Sequence, residues 1–477
     1  MKVLIVSSEV VPFAKTGGLA DVAGALPKAL KAKGVDVRVV MPKHDCPNCK
    51  CEGEYLTHFG VEFDGRTETA VVLETSIDGK IPVYIIDNKN FFSRPGLYGE
   101  SGKDYDDNAL RFGFFSKAVL ELCLNMDFIP DVLHINDWQS AMVAVYKKVF
   151  YEDKISSKVL LTIHNLQYQG VFDPLFLPRL GLGWDLFDME KLEFYGKINF
   201  LKGAIVFSDA INTVSPTYAK EIQTPEFGYG LDGILKHLNY KLYGILNGID
   251  YDVWNPKTDP LIWENYDVQT LEKKQINKKE LAKYTNLPEN RMFFGLVSRL
   301  VDQKGLDILI PAVKEMIKYT DACFVFLGSG QPEYEEEVAK LSKEFSDRVW
   351  AKIGYDNELA HKIYVGVDAF LVPSKFEPCG LTQMISMRYG TPPVVRNTGG
   401  LADTVVDPNE DRPEAPCGIK FDDYTAHACF AAMKRAYEIY TSSPSTWRDW
   451  MTAGMRKDFS FSSSAEEYIK LYKKISS

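Results

Sequence analysis

Short apolar runs rich in β-branched residues alternate with amphipathic helical stretches along this chain, and the alternation begins twice. Val3–Val6, Val37–Met41, Val83–Ile86, Val132–Ile135 and Val159–Ile163 read as buried strands. Between them, Leu19, Val22, Ala23, Leu26 and Leu30 share one face of a helix from about Leu19 to Lys33, which Gly34 terminates. Pro27 inside that helix predicts a kink or a break. Further helical stretches lie near Asn108–Cys123 and Gln139–Phe150. After Asn247-Gly248-Ile249-Asp250 and a polar stretch to about Glu289, Phe293–Val297 opens a second series. It continues through Cys323–Leu327, Trp350–Ile353, Ala369–Val372 and Pro393–Val395. Strands alternating with helices predict parallel sheets covered on both faces, here in two α/β domains with a boundary near 245–250. A last helix, about Ala465–Ile475, carries Tyr468, Leu471, Tyr472 and Ile475 along one stripe; the stripe must pack, but does not say against which domain.

The hexapeptide Thr-Gly-Gly-Leu-Ala-Asp occurs at Thr16–Asp21 and again at Thr398–Asp403. Glycines let backbone approach a ligand closely, and a following helix offers unpaired amides and the positive end of its dipole. Two doubly wound domains in series predict a crevice facing the carboxyl ends of both sheets, where ligands of such folds bind. A pair of tight turns with no ligand is the rival reading; the match between the copies, and the basic neighbour Lys15, favour a ligand.

The bulk properties narrow the function. A chain of 477 residues is too long for one ordinary core. A formal net charge of −10 argues against a nucleic-acid or anionic-membrane partner, though not against an anionic small substrate met by a local basic cluster. No apolar run approaches the roughly 18 residues of a membrane span. The apolar start is too short for a signal peptide, and an acid, Glu9, follows at once. A cytoplasmic protein is expected, and eight mostly scattered cysteines suit a reducing compartment. His44, Cys46, Cys49 and Cys51 have residue types and spacing that could hold zinc, in a structural more than a catalytic role; an ordinary surface loop is the alternative. The chain lacks Gly-x-Gly-x-x-Gly after its first strand and any Walker-type loop, which weakens dehydrogenase and ATPase readings.

Four segments carry candidate chemistry. Ser298–Gly305 joins a strand to a helix and places Arg299 and Lys304 where a guanidinium fork and an ammonium could neutralise a diphosphate; solvated surface charges are the alternative. In Pro373–Thr382, a carboxylate (Glu377) followed by Pro and Gly suits sugar hydroxyls, and amides after Gly380 could face a phosphate. His134–Trp138 and Thr162–Asn165 each end a buried strand in polar groups; lone histidines are often core residues, but two such strand ends favour a cleft.

Together these segments resemble the bacterial glycogen synthases and plant starch synthases, which transfer glucose from ADP-glucose. The resemblance rests on Lys15–Val22, His134–Trp138, Thr162–Gly170, Thr213–Pro216, Leu246–Asp250, Ser298–Gly305, Glu377–Gln383 and Thr398–Val405, in order along nearly the whole chain. It implies a GT-B fold: two Rossmann-like doubly wound domains with an interdomain cleft, residues 1–247 on the acceptor side and 248–459 binding the nucleotide sugar, with the helix at about 460–477 packing back on the first. It implies transfer of glucose, with anomeric retention, to the non-reducing end of an α-1,4-glucan. Carried over by position, Arg299 and Lys304 should bind the donor diphosphate and stabilise departing ADP. Lys15, Gly17 and Gly18 should meet the phosphate from the other domain. Glu377, with the backbone at Cys379 and Gly380, should hold glucose hydroxyls, and the Leu381 and Thr382 amides should meet phosphate. His164 should lie against the glucosyl 6-hydroxyl, with Asp137, Asp21, Asn247 and Tyr98 in the cleft.

A retaining glycosidase would need two carboxylates about 5–5.5 Å apart. One carboxylate stands at the expected sugar position, so the resemblance implies that departing phosphate helps activate the acceptor hydroxyl on the same face. Arg299 and Lys304 would supply the positive charge, so no cofactor and no metal are expected. Three departures stand out: the His44–Cys51 cluster belongs to no family motif, Ile385 stands where related transferases carry a second acid, and Ser460-Phe461 replaces Ser-Trp. Use of UDP-glucose or another acceptor remains the alternative, followed by a glucan-binding protein without catalysis.

Overall fold

Valine- and isoleucine-rich runs become the central strands of two sheets, because a strand covered on both faces must be apolar on both. The computed structural model describes residues 1–126, 128–412 and 414–477. The chain divides into two units: Met1–Gly248 together with Phe461–Ser477, and Ile249–Ser460.

In the first unit, β1 (Lys2–Val6), β2 (Asp36–Pro42), β3 (Glu54–Phe63), β4 (Arg66–Ile77), β5 (Ile81–Asp87), β6 (Val132–Asn136), β7 (Lys158–Ile163), β8 (Ala210–Thr213) and β9 (Leu242–Gly244) form one sheet. Their order is β9-β8-β7-β6-β1-β2-β5-β4-β3. The strands from β9 to β5 pair in parallel, whereas β3 and β4 add an antiparallel edge. A wholly parallel sheet was expected, so the edge is a correction. Its cause lies in Asp64-Gly65 and Asp78-Gly79, four residues with left-handed φ of 51°, 73°, 52° and 66°. Asp64-Gly65 is a two-residue turn and Asp78-Gly79 lies in the three-residue loop 78–80; left-handed turns of this kind match the twist of paired strands and close hairpins.

Alternate residues of β1 serve opposite faces. Leu4 and Val6 join a core with Phe112, Phe115 and Val119 of helix Asn108–Asn125. Val3 and Ile5 join another with Leu26 and Leu30 of helix Gly18–Ala32 and with Tyr468 and Tyr472 of helix Phe461–Ser476. The C-terminal stripe therefore covers the first unit, and polar contacts fix it there. Tyr472 Oη lies 2.8 Å from His134 Nδ1, Asn212 Nδ2 donates to Tyr468 Oη at 3.0 Å, and Ser464 Oγ donates to Leu246 O at 2.7 Å. Pro27 does not break helix Gly18–Ala32: the helix continues through it, since a buried face outweighs one missing hydrogen bond.

In the second unit, β10 (Phe293–Val297), β11 (Cys323–Gly328), β12 (Val349–Ile353), β13 (Ala369–Val372), β14 (Pro393–Arg396) and β15 (Ile419–Phe421) pair in parallel in the order β12-β11-β10-β13-β14-β15. In each sheet the chain first runs outward on one side of a central strand, then returns to the other side. The reversal falls between β1 and β6 in one unit and between β10 and β13 in the other, and the loops at these carboxyl ends are where ligands bind in doubly wound sheets.

The His44–Cys51 segment is neither a plain surface loop nor a converging ligand set. His44 is buried, with Nε2 2.8 Å from Ser8 O, and burial lowers its pKa to about 4. Cys46 and Cys49 form a disulfide, which scattered reduced cysteines did not foretell, while Cys51 is buried and donates to Phe13 O. Among the described residues no group of three or more His, Cys, Asp or Glu is placed to hold a metal ion, and no helix is long and apolar enough to cross a membrane.

Candidate active site

In the second unit, the loops leaving β10 and β13 surround a cavity of about 180 Å³, lined by Ser298, Arg299, Lys304, Ser374 and Thr382 among others. Gly305, at φ 74°, ends the Asp302–Lys304 turn. A Cβ there would lie 2.1 Å from Pro373 O, so only glycine lets the two loops approach so closely. Hydrogen bonds then lace them: Lys375 N donates to Gln303 O, and Gln303 Nε2 to Phe376 O. The result is a buried ion pair between residues 73 apart in sequence, Lys304 Nζ to Glu377 Oε2 at 2.6 Å. Ser374 Oγ donates to the same carboxylate oxygen at 2.9 Å. The Lys304 and Glu377 side chains are only 19% and 9% exposed, so water screens the pair little. Arg299 is exposed at the rim, with a fork suited to a diphosphate.

The second hexapeptide supports this carboxylate from behind. A Cβ on Gly399 would lie 2.0 Å from Glu377 O, and one on Gly400 would lie 2.0 Å from Cys379 O. Gly400 N donates to Glu377 O at 3.1 Å. Cys379 is buried, and Gly380 takes φ 70°. Gln383 Nε2 bridges Cys379 O, Gly380 O and Thr404 Oγ1. Leu381 precedes helix Thr382–Arg388 without a side-chain cap, which leaves the first amides of the helix without an intrahelical partner.

The first hexapeptide is built differently. A Cβ on Gly17 would meet nothing within 4 Å, so crowding does not require that glycine. Its surroundings are electrostatic. Glu9, at the carboxyl end of β1 and 4% exposed, accepts from Thr16 N at 2.5 Å, Thr16 Oγ1 at 2.7 Å, Gly17 N at 3.2 Å and Tyr98 Oη at 2.7 Å. Tyr98 Oη also lies 2.8 Å from Ser8 Oγ, and burial raises the Tyr98 pKa well above its usual value. The Thr16 and Gly17 amides are thus occupied by the Glu9 carboxylate and not open to a ligand. The helix begins at Gly18, and Lys15 reaches Asp21 in its first turn at 2.7 Å. Glu9 and Ser8 are the residues that sequence reasoning missed. Their signal in the sequence is a single acid between the first strand and the glycine loop.

Asp137 and His164 meet at the ends of β6 and β7. Asp137 adopts φ 55°, a left-handed conformation uncommon outside glycine. Its Oδ1 accepts from His164 N at 2.7 Å, and burial raises its pKa to about 7, with neighbouring Glu9 adding to the rise. His164 Nε2 lies 2.9 Å from Asn136 Oδ1, while Asn136 Nδ2 donates to Val6 O at 3.1 Å. That amide orientation makes Nε2 the donor and leaves Nδ1 as the acceptor of a neutral ring, in keeping with a pKa lowered to about 3 by desolvation. His134, by contrast, faces the C-terminal helix and is a core residue. Asn247 is buried, and its Oδ1 has no hydrogen-bond partner among the described residues. The structure thus groups Arg299, Lys304, Glu377, Cys379, Gly380, Leu381 and Thr382 in the second unit. It groups Lys15, Gly17, Gly18, Asp21 and Tyr98 around Glu9 in the first, with Asp137 and His164 on the adjacent strand ends.

The family described as starch synthase catalytic domain matches residues 2–237, and that described as glycosyl transferases group 1 matches residues 277–445. Glycogen synthase of Moorella thermoacetica is 47% identical over 99% of this chain and 96% of its own. Glycogen synthase of Thermotoga maritima is 47% identical over 99% of each. Among solved structures, the catalytic domain of starch synthase IV from Arabidopsis thaliana, bound to ADP and acarbose, superposes with a TM-score of 0.89 at 36% identity, covering 100% of this chain and 99% of that one. Sucrose-phosphate synthase from Thermosynechococcus elongatus, at 18% identity and a TM-score of 0.62 over 99% and 98% of the two chains, shares the two-domain GT-B fold alone. Similarity on this scale, over the full length and with the expected segments at both sheet ends, places the chain in the glycogen and starch synthase family of glycosyltransferases.

Proposed function

We propose that the protein transfers glucose from ADP-glucose to the 4-hydroxyl at the non-reducing end of an α-1,4-glucan, with retention at the anomeric carbon, in the cytoplasm. One observation carries the reading: a cation, Lys304, held by a buried carboxylate, Glu377, at the lip of a cavity that Arg299 also lines. As the bond from C1 to phosphate oxygen breaks, negative charge collects on the leaving ADP and positive charge on the sugar. Lys304 and Arg299 lie where they can neutralise the first. Glu377 commits Oε2 to Lys304 and Ser374, so Oε1 can accept from a glucose hydroxyl. The acceptor hydroxyl bonds to C1 on the face that ADP leaves, and its proton passes to the departing phosphate oxygen. No second carboxylate is required.

The remaining assignments follow the same chemistry. Lys15 and Gly18 belong to phosphate binding, with Gly17, whose amide Glu9 takes, allowing the backbone to approach, and Cys379, Gly380, Leu381 and Thr382 present backbone groups to the donor. Neutral His164 offers Nδ1 as acceptor to a sugar hydroxyl. Asp137 holds the His164 turn, while Asp21, Tyr98 and Asn247 shape its surroundings. Lys304→Ala and Glu377→Ala test the reading: each should lower kcat by roughly two to four orders of magnitude, with circular dichroism and melting largely retained. Near-normal turnover in both would remove the assigned roles.

A further inference from the structure

The segment between β2 and β3 carries a chemistry that the proposed transfer does not use. Cys46 and Cys49, three positions apart, are joined by a disulfide, and Cys49 N donates to Cys46 O at 2.9 Å across the same turn. Both cysteines are half-buried among the exposed residues Asp45, Pro47, Asn48 and Lys50, so a small reductant can reach their sulfurs. Cys51 is unlike them. It is 4% exposed, its thiol donates to Phe13 O, and burial raises its pKa to about 11, which keeps it protonated and a poor nucleophile.

The turn lies between two anchors on the loop that leads to the first hexapeptide. On one side His44, buried and neutral, donates from Nε2 to Ser8 O at 2.8 Å and meets the Tyr98 ring edge-on at 6.4 Å. On the other side Phe13 O accepts from Lys50 N at 2.7 Å and from the Cys51 thiol. Ser8 and Phe13 bracket Glu9, whose carboxylate gathers Thr16, Gly17 and Tyr98, and Lys15 follows Phe13 by two positions. The disulfide thus fixes the spacing of the two anchors that hold the Glu9 loop down. Stability alone does not explain it, because so short a loop constrains the unfolded chain least. In a reducing compartment such as the cytoplasm proposed above, a partly exposed disulfide is a transient, sensing group and not a permanent brace.

Resting on the reading above, we propose that the Cys46–Cys49 disulfide is a thiol–disulfide exchange site, through which a dithiol reductant loosens the Glu9 loop and weakens donor binding. A thiolate of the reductant attacks one sulfur, the bond between Cys46 and Cys49 breaks, and the other sulfur leaves as a thiolate. The second thiol of the reductant then displaces the protein from the mixed disulfide. Two electrons reach the protein, two protons end on its cysteines, and the reductant departs as a disulfide. Without the cross-link, the anchors at His44 and Lys50 move independently. A small disulfide oxidant reverses each step.

The full-length protein, held in chelator with either reduced or oxidised dithiothreitol, tests the site. Iodoacetamide, read by peptide mass spectrometry, should label Cys46 and Cys49 only after reduction and leave Cys51 unlabelled in the folded chain. Amide hydrogen exchange of residues 8–22, measured without any donor, should then quicken about three- to tenfold, and KM for ADP-glucose should rise by the same factor, since a loop ordered for less of the time lowers apparent affinity in proportion. KM for glycogen should stay within about twofold, because the competent fraction for donor alone is changed. Replacing both Cys46 and Cys49 by Ser should give the reduced behaviour in either buffer. Equal exchange and equal KM in the two states, with labelling showing the bond broken, overturns the proposal. So do sulfurs that resist the reductant until the protein unfolds, thiols that never pair in the oxidant, or a redox response that survives in the double Ser variant. If no donor supports glucosyl transfer, labelling and hydrogen exchange still decide the exchange site; if transfer occurs with the same KM in both states, only the exchange site fails.

Discussion

Replacing Glu9 tests whether the first glycine loop is held by an internal anion. Glu9 receives two backbone amides and two hydroxyls. In Glu9→Gln the side-chain carbonyl can keep Thr16 N and Gly17 N, while its amide donates to the Thr16 or Tyr98 hydroxyl, either of which can turn to accept. What is lost is charge: hydrogen bonds to an ionised acceptor contribute about 1.5–3 kcal/mol against about 1 for neutral ones. Two amides therefore forfeit about 1–4 kcal/mol, or roughly one to three orders of magnitude in loop ordering. Glu9→Ala leaves the same donors to water and should cost more. If Lys15 works from this loop, kcat/KM for ADP-glucose falls in the order wild type, Gln, Ala, while the melting temperature moves by only a few degrees because the core is untouched. Initial-rate kinetics, paired with amide hydrogen exchange of residues 8–22, reads both effects. Wild-type kinetics and protection in Glu9→Ala would refute the reasoning.

Other outcomes follow from the same geometry. Gly400→Ala should destabilise the second unit and depress turnover, since its Cβ would meet Cys379 O at 2.0 Å, whereas Gly17→Ala should leave thermal stability nearly unchanged; equal losses of stability would contradict the different builds of the two hexapeptides. Tyr472→Phe strands His134 Nδ1 and should cost about 1–2 kcal/mol, read as a lower urea midpoint; no change would show that the contact contributes nothing. Asp137 titrates near 7 in the folded chain against 3.8, so its neutral form favours the native state, and stability drains away as pH rises from about 4 through 7. The shift corresponds to about 4 kcal/mol at most, trimmed to about 1–3 by the partial exposure of the group. Asp137→Asn, whose side-chain oxygen can still accept from His164 N, should gain stability relative to wild type at pH 8 and little at pH 4; a pH-independent difference would refute the shift. Burial of neutral His44, His134 and His164 works the other way, with pKa values lowered to about 4, 3 and 3. Unfolding then takes up protons, and stability falls, as pH drops below about 6.5; a melting temperature flat from pH 7 to 5 would contradict it.

Much of this architecture was legible from local pattern. The central strands are runs of β-branched residues bounded by polar turns, and β1, β10 and β13 fall within a residue of expectation. The β3–β4 edge was not: half its residues face water and its apolar pattern is weak, although Asp64-Gly65 and Asp78-Gly79 mark both turns. Within the candidate site, residue type and resemblance point to Arg299, Lys304 and Glu377, but the Lys304–Glu377 contact spans 73 positions and depends on the approach that Gly305 permits. Glu9 escaped because a lone acid has no pattern; its role exists only once β1 and the following loop fold back on each other. The two hexapeptides, alike in sequence, proved physically unlike, since spacing reports the turn and not what lies behind it.

The central claim, glucosyl transfer driven by protein cations at a nucleotide diphosphate, meets its most direct test in one assay. Purified protein is incubated with glycogen primer and either ADP-glucose or UDP-glucose in excess chelator, and nucleotide release is followed together with glucose incorporation. The account predicts release of ADP matched by glucose added to glycogen, with ADP-glucose preferred. Release from neither donor would contradict it, and preference for UDP-glucose would overturn the donor assignment alone.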